Sequence, residues 1–203
     1  MHISEGVLSG PVLVSGAALA AAGTAIGLKK LNYDHIAQAG ILSAAFFVAS
    51  LIHVPIGPSN AHLILNGLVG LLLGWAAFPV ILVALVLQAM LFQFGGITAL
   101  GVNTIIMALP AVICYLAFSP FLHKHSKLAL LASFACGFLS VFLSAIILGL
   151  SLLFTEENFL EVAAIAVAAH IPVMIVEGMI TAICVAFIRK VQPSMLPGFP
   201  SRN

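Results

Sequence analysis

Residue types at the start of the chain define a chelate. With His at position 2, the α-amine of Met1, the intervening amide nitrogen and the His2 Nδ1 close fused five- and six-membered rings that hold three nitrogens in one plane. An α-amine titrates at about 7.7–8.0, low enough to shed its proton and donate a lone pair. One further imidazole completes a square of four nitrogens, a geometry diagnostic of Ni(II) or Cu(II). Ligation by a peptide nitrogen favours the same ions, because the metal must displace the amide proton. His62 is the natural fourth donor, in a Gly- and Pro-containing loop beside Ser59 and Asn60. A loop can adapt its position to a chelate. His53 is the competing candidate, as an outer neighbour of the site or as a residue bonded within the helices.

Other ionisable residues read differently. His170 and Glu177 are seven apart on one helix face, about 10.5 Å along the axis, too far for direct contact. A carboxyl inside a membrane span still marks a function or a partner. Gln88 and Gln93 read as structural hydrogen-bonding groups between helices. His123 and His125 accompany Lys124 and Lys127 in a solvated loop, and His35 reads as interfacial. Cys114, Cys136 and Cys184 lie within apolar runs and behave as small hydrophobes, forming neither a disulfide framework nor a zinc cluster.

The elements that must position these groups are membrane helices. Of 203 residues, 63% are hydrophobic and 6% charged, against about 25% charged in a soluble domain. A net charge of +1 offers no footprint for nucleic acid. No phosphate-binding G-x-x-x-x-G-K-[ST] loop occurs, so the chain is expected not to hydrolyse ATP and not to be an enzyme. Apolar runs at 8–28, 36–56, 61–76, 79–95, 102–121, 128–154 and 159–188 predict an all-α polytopic bundle of about seven transmembrane helices. Residues 1–190 form its single transmembrane domain and 191–203 a short cytoplasmic tail. With seven crossings all seven Lys and Arg residues fall on one face, and Glu156 and Glu157 fall on the other. Basic residues stay cytoplasmic, which predicts an N-terminus outside and a C-terminus inside. The first segment has no Lys or Arg ahead of its apolar run, so it is expected to stay attached rather than be cleaved. The same topology gathers the N-terminus, the 55–62 loop and the turn from Gly95 to Asn103 on the outer side.

Several stretches, taken together, resemble the nickel/cobalt substrate-binding membrane component of energy-coupling-factor ABC transporters. They are Met1-His2-Ile3-x-Glu5-Gly6, His53 through Leu63, and Asn66-Gly67-Leu68. Leu87-Gln88-x4-Gln93-Phe94-Gly95-Gly96-x4-Gly101-Val102-Asn103 and His170-Ile171-Pro172-x4-Glu177-Gly178 complete the set. The resemblance covers about residues 1–190, and the Pro58-Ser59-x2-His62-Leu63 form looks like the nickel branch. It implies a seven-helix protein of a prokaryotic cell membrane whose N-terminus folds back into the bundle. Met1, His2 and His62 are then the ligands of Ni(II), or less readily Co(II), with His53, Ser59, Asn60 and Asn103 around them. It also implies separate partners: a transmembrane coupling subunit, cytoplasmic ATPases and a small accessory membrane subunit. The alternative is a proton-coupled secondary metal transporter with His170 and Glu177 as its relay.

Overall fold

The computed structural model describes residues 2–56, 59–155 and 160–199, without the side chains of 53–61 and of a few residues between 160 and 166. Helices α1 (Gly10–Lys30) and α2 (Ile36–Ala49) are followed by two short paired strands, β1 (His53–Ile56) and β2 (Ser59–His62). Then come α3 (Asn66–Leu73), α4 (Ala77–Phe92), α5 (Leu100–Phe118), α6 (Ser126–Leu153), α7 (Leu160–Ala169) and α8 (Ile171–Val191). Among the described residues, five stretches are long and apolar enough to cross a membrane: Gly10–Lys30, Asn66–Phe92, Leu100–His123, Ser126–Leu153 and Ile171–Val191. Polarity is inverted relative to a water-soluble fold. Val14, Ile41, Met90, Leu131 and Ile183 are each more than 60% exposed, whereas Asn66, Gln88, Ser133, Ser140 and Glu177 are fully enclosed. Apolar outside and polar inside suits lipid as the solvent.

Close approaches give the path of the chain. α1 meets α5 at Gly16 and Val102, then meets the start of α4 where Gly23 lies on Phe78 and Gly27 on Pro79. α3 runs alongside α5, with Gly70 against Ala111 and Gly74 against Tyr115. The chain therefore reverses between α3 and α4, at Gly74, whose φ of 56° and ψ of −125° no ordinary side chain tolerates. α2 runs alongside α4, the Ser43 hydroxyl donating to the Val80 carbonyl at 3.0 Å. α6 and α8 are antiparallel: Gly137 packs on Thr181, and the Arg189 guanidinium donates to the Lys124 carbonyl at 3.1 Å. At each of these glycines a side chain would collide with the neighbouring helix, so small residues set the spacing there.

Three of the seven apolar runs form less helix than their length suggests. The second ends as helix at Ala49 and continues as a turn and β1. The third contributes only the eight-residue α3, about 12 Å long and too short to cross a hydrocarbon core. Its upstream part, from β2 to Leu65, is not helical, and α3 begins beside Met107, two turns into α5, where the Asn66 side-chain amide donates to the Met107 carbonyl at 3.1 Å. The seventh is divided at His170, between α7 and α8. The tail is packed down: Leu196 is buried, and the Phe199 ring lies 4.5 Å from that of His123.

Non-helical backbone at this depth needs internal partners. Glu177 supplies them. Its carboxyl oxygens accept from the Ile64 amide and, at 2.9 and 3.1 Å, from the Leu65 amide. These N–H groups precede α3, where the helix dipole also favours a carboxylate. Leu65 itself takes a left-handed φ of 57°, a strain this grip holds in place. Glu177→Ala should orphan both donors and destabilise the fold by about 1–3 kcal/mol for each. Glu177→Gln keeps an acceptor and should cost much less; thermal unfolding of both variants in one detergent checks the order.

Candidate metal site

Residues 2–9 are non-helical, with a turn at Glu5–Gly6, and run into the end of the bundle formed by the C-terminus of α4 and the N-terminus of α5. The residue after His2 is gripped on both sides: the Ile3 amide donates to Asn103 Oδ1 at 2.9 Å, and Asn103 Nδ2 donates to the Ile3 carbonyl at 3.1 Å. Ile3 and Leu8 are buried. Glu5 Oε1 accepts from the Ile97 and Thr98 amides at 2.7 and 3.1 Å, and those bonds lower the pKa of its carboxyl. The Ser9 amide donates to Thr155 Oγ1 at 3.3 Å, at the far end of α6. Gly95 makes room for the segment. Its φ is +78°, and a Cβ there would lie 2.6 Å from Asn103 Nδ2.

This segment carries His2 to His62. His2 Nδ1 and His62 Nε2 face each other at 3.1 Å, and the rings stack with centroids 4.8 Å apart. On the far side of the His2 ring, Nε2 lies 2.7 Å from Gln88 Oε1; on the far side of His62, Nδ1 lies 3.0 Å from the Leu63 carbonyl. Phe94 covers the His2 ring at 6.0 Å. Burial pushes the His2 imidazole down to about 3, so it is neutral and its unprotonated nitrogen can bind an ion. Two nitrogens each about 2.0 Å from one ion would sit about 2.8 Å apart at a right angle and about 3.3 Å apart at the tetrahedral angle. The observed separation lies between these limits. Among the described residues, no group of three or more His, Cys, Asp or Glu side chains could hold an ion together.

The sequence candidates divide accordingly. His2, His62 and Asn103 are together, Asn103 acting on the backbone beside His2. Met1 lies outside the described residues. The backbones of His53, Ser59 and Asn60 form the strand pair, with His53 opposite His62, and their side chains lie outside the described residues. Glu177 holds the backbone just beyond His62, and His170, buried at the start of α8, lies close enough to act electrostatically on His62. Gln88 is the residue whose part was missed, because spacing alone gave it only a role between helices. Its signal in the sequence was an amide side chain inside an apolar run, just ahead of the Gln93-Phe94-Gly95-Gly96 turn.

The chain matches the family model of the cobalt uptake substrate-specific transmembrane region, CbiM, over residues 2–195. The chain belongs to the CbiM family. It is similar to a Haemophilus influenzae protein given a provisional name as a metal transport protein, with 40% identity over 97% of both chains. It also resembles the fused nickel transport protein NikMN of Rhodobacter capsulatus, 38% identical over 53% of this chain and 33% of that protein. A crystal structure described as a transition metal transporter superposes with a TM-score of 0.79 at 30% identity, covering 94% of this chain and 93% of that one. As a CbiM protein it is a cobalt/nickel uptake component, a metal transporter of the prokaryotic membrane and not a catalytic subunit.

If the clamp on Ile3 is what delivers His2 to His62, Asn103→Leu should release the N-terminal segment. Amides of residues 3–8 should then exchange hydrogen at least tenfold faster, in line with the loss of two buried bonds of about 1 kcal/mol or more each.

Proposed function

We propose that this chain is the substrate-binding membrane component of an energy-coupling-factor importer, capturing Ni(II) outside the cell. The ligands in this reading are the Met1 amine, the amide nitrogen and Nδ1 of His2, and Nε2 of His62. Co(II) is the second substrate. The observation that carries it is the meeting of His2 Nδ1 and His62 Nε2 at 3.1 Å, sixty residues apart in sequence. Nδ1 is the ring nitrogen that a six-membered chelate with the preceding amide requires, and it is the one turned toward His62. Planar four-nitrogen coordination distinguishes Ni(II) from ions that prefer tetrahedral sites.

The described basic residues Lys29, Lys30, Lys124, Lys127, Arg189 and Lys190 collect at the end opposite His2, which supports a cytoplasmic assignment for that end. The metal site then opens outward. Release inward is driven by a separate transmembrane coupling subunit and cytoplasmic ATPases, with a small accessory membrane subunit completing the complex. Residues 1–190 act as one domain in this scheme.

The test compares protein carrying a cleavable N-terminal extension with the same protein after cleavage leaves Met1 with a free amine. Cleaved protein should hold one Ni(II) per chain with the diamagnetic, yellow signature of a planar site, and extended protein should hold far less. His2→Ala and His62→Ala should each abolish tight binding. Equal nickel content before and after cleavage would remove Met1 from the ligand set.

A further inference from the structure

The nitrogen of His2 that faces His62 must carry a lone pair and not a proton if it is to bind an ion. Nothing in an imidazole alone decides this, since a neutral ring protonates either nitrogen. The surroundings of His2 do decide it. The chain of partners begins at a group with no choice: the Phe47 carbonyl can only accept. The Ser50 hydroxyl lies 2.7 Å from it and donates its single proton there. Ser50 Oγ is then an acceptor toward its other neighbour, and Gln88 Nε2 donates to it at 2.8 Å. That fixes the Gln88 amide with its oxygen toward His2. At 2.7 Å from Gln88 Oε1, His2 Nε2 must bear the proton, which leaves the lone pair on Nδ1.

We propose that Ser50 and Gln88 are positioning residues that lock His2 in the Nε2–H tautomer and so present Nδ1 to the metal. This rests on the reading that His2 and His62 bind the ion. His62 is set by the same logic in one step, its Nδ1–H donating to the Leu63 carbonyl and its Nε2 turning toward His2. Both relays end on backbone carbonyls, so two lone pairs are directed at each other across 3.1 Å. A cation between them converts that repulsion into two bonds.

Enclosure makes the relay rigid. Gln88 is 0% and Ser50 1% exposed, so water does not compete for their bonds. Ser50 sits at the end of α2, where its amide also donates to the Phe46 carbonyl at 3.3 Å, and Gln88 lies in the last turns of α4. The tautomer is thus held by the packing of α2 on α4. Nor can His2 simply turn over, because Asn103 grips both backbone groups of the next residue and Phe94 covers the ring. Groups that orient a metal-binding imidazole in this way typically contribute about 10–100-fold to metal affinity.

The experiment uses the full chain with a free Met1 amine, labelled with 15N-histidine, and His2 resonances identified by their loss in His2→Ala. In the metal-free protein, long-range 1H–15N correlation should show His2 with an imine-type Nδ1 and a pyrrole-type Nε2. Ser50→Ala and Gln88→Leu should each give a mixture of tautomers and weaken Ni(II) binding about 10–100-fold. Gln88→Glu keeps an acceptor facing Nε2–H, and should keep the wild-type tautomer and bind better than Gln88→Leu. A proton on Nδ1 in the wild type overturns the proposal, and the wild-type spectrum suffices even if a variant fails to fold. Wild-type nickel affinity and tautomer in both Ser50→Ala and Gln88→Leu, while His2→Ala loses the metal, overturn the relay and leave the ligand assignment standing. Nickel binding unchanged in His2→Ala overturns the ligand assignment itself.

Discussion

Backbone that is not helical has no water to bond inside a bilayer, so every amide and carbonyl of such a segment must be satisfied by the protein. Among the described residues, the stretch ahead of α1 and the stretch from β2 into α3 are non-helical, and they carry His2 and His62. Their positions depend on a few polar side chains that reach them from helices. Asn103 on α5 pairs with both polar groups of Ile3, and Glu177 on α8 takes the amides of Ile64 and Leu65. Without these, neither imidazole would have a fixed place. The buried polar residues are therefore the frame of the site, and their high desolvation cost is offset by the backbone groups they satisfy.

The helices make this possible by packing closely. Glycines at the crossings of α1, α3 and α6 let the backbones approach to the point where a methyl group would collide. Hydrogen bonds from Ser43 and Gln88 join α2 to α4, and Gln88 in turn reaches His2. Outward faces of leucine, isoleucine, valine and methionine then need only lipid. One consequence is a division of labour along the molecule. The end near His2 holds irregular backbone, neutral polar groups and the Glu5 carboxyl, while the other holds lysine, arginine and a packed tail.

The membrane class and the runs of helix could be read from hydropathy, because a bilayer demands long apolar stretches and leaves few alternatives. The convergence of the N-terminus, the 55–62 loop and the 95–103 turn was also legible, since it follows from counting crossings. Depth was not. The pattern at 61–76 is apolar but for His62 and Asn66 and gives no hint that its α-helix is confined to Asn66–Leu73, because a non-helical segment gripped by Glu177 is as apolar as a helix. Glu177 read as a carboxyl that marks a function or a partner, since an intramembrane carboxyl is costly, with a proton relay as the alternative. Its partner proved to be backbone, which carries no sequence signature. Gln88 was undervalued for a related reason: its partners, Ser50 and His2, lie 38 and 86 residues away.

The most direct measurement is anomalous diffraction from crystals of the nickel-loaded chain with a free N-terminal amine, recorded on both sides of the nickel edge. One strong peak should appear beside His2 Nδ1 and His62 Nε2, within about 2.1 Å of each. A peak at Glu177 and His170, or none between His2 and His62, would contradict the account.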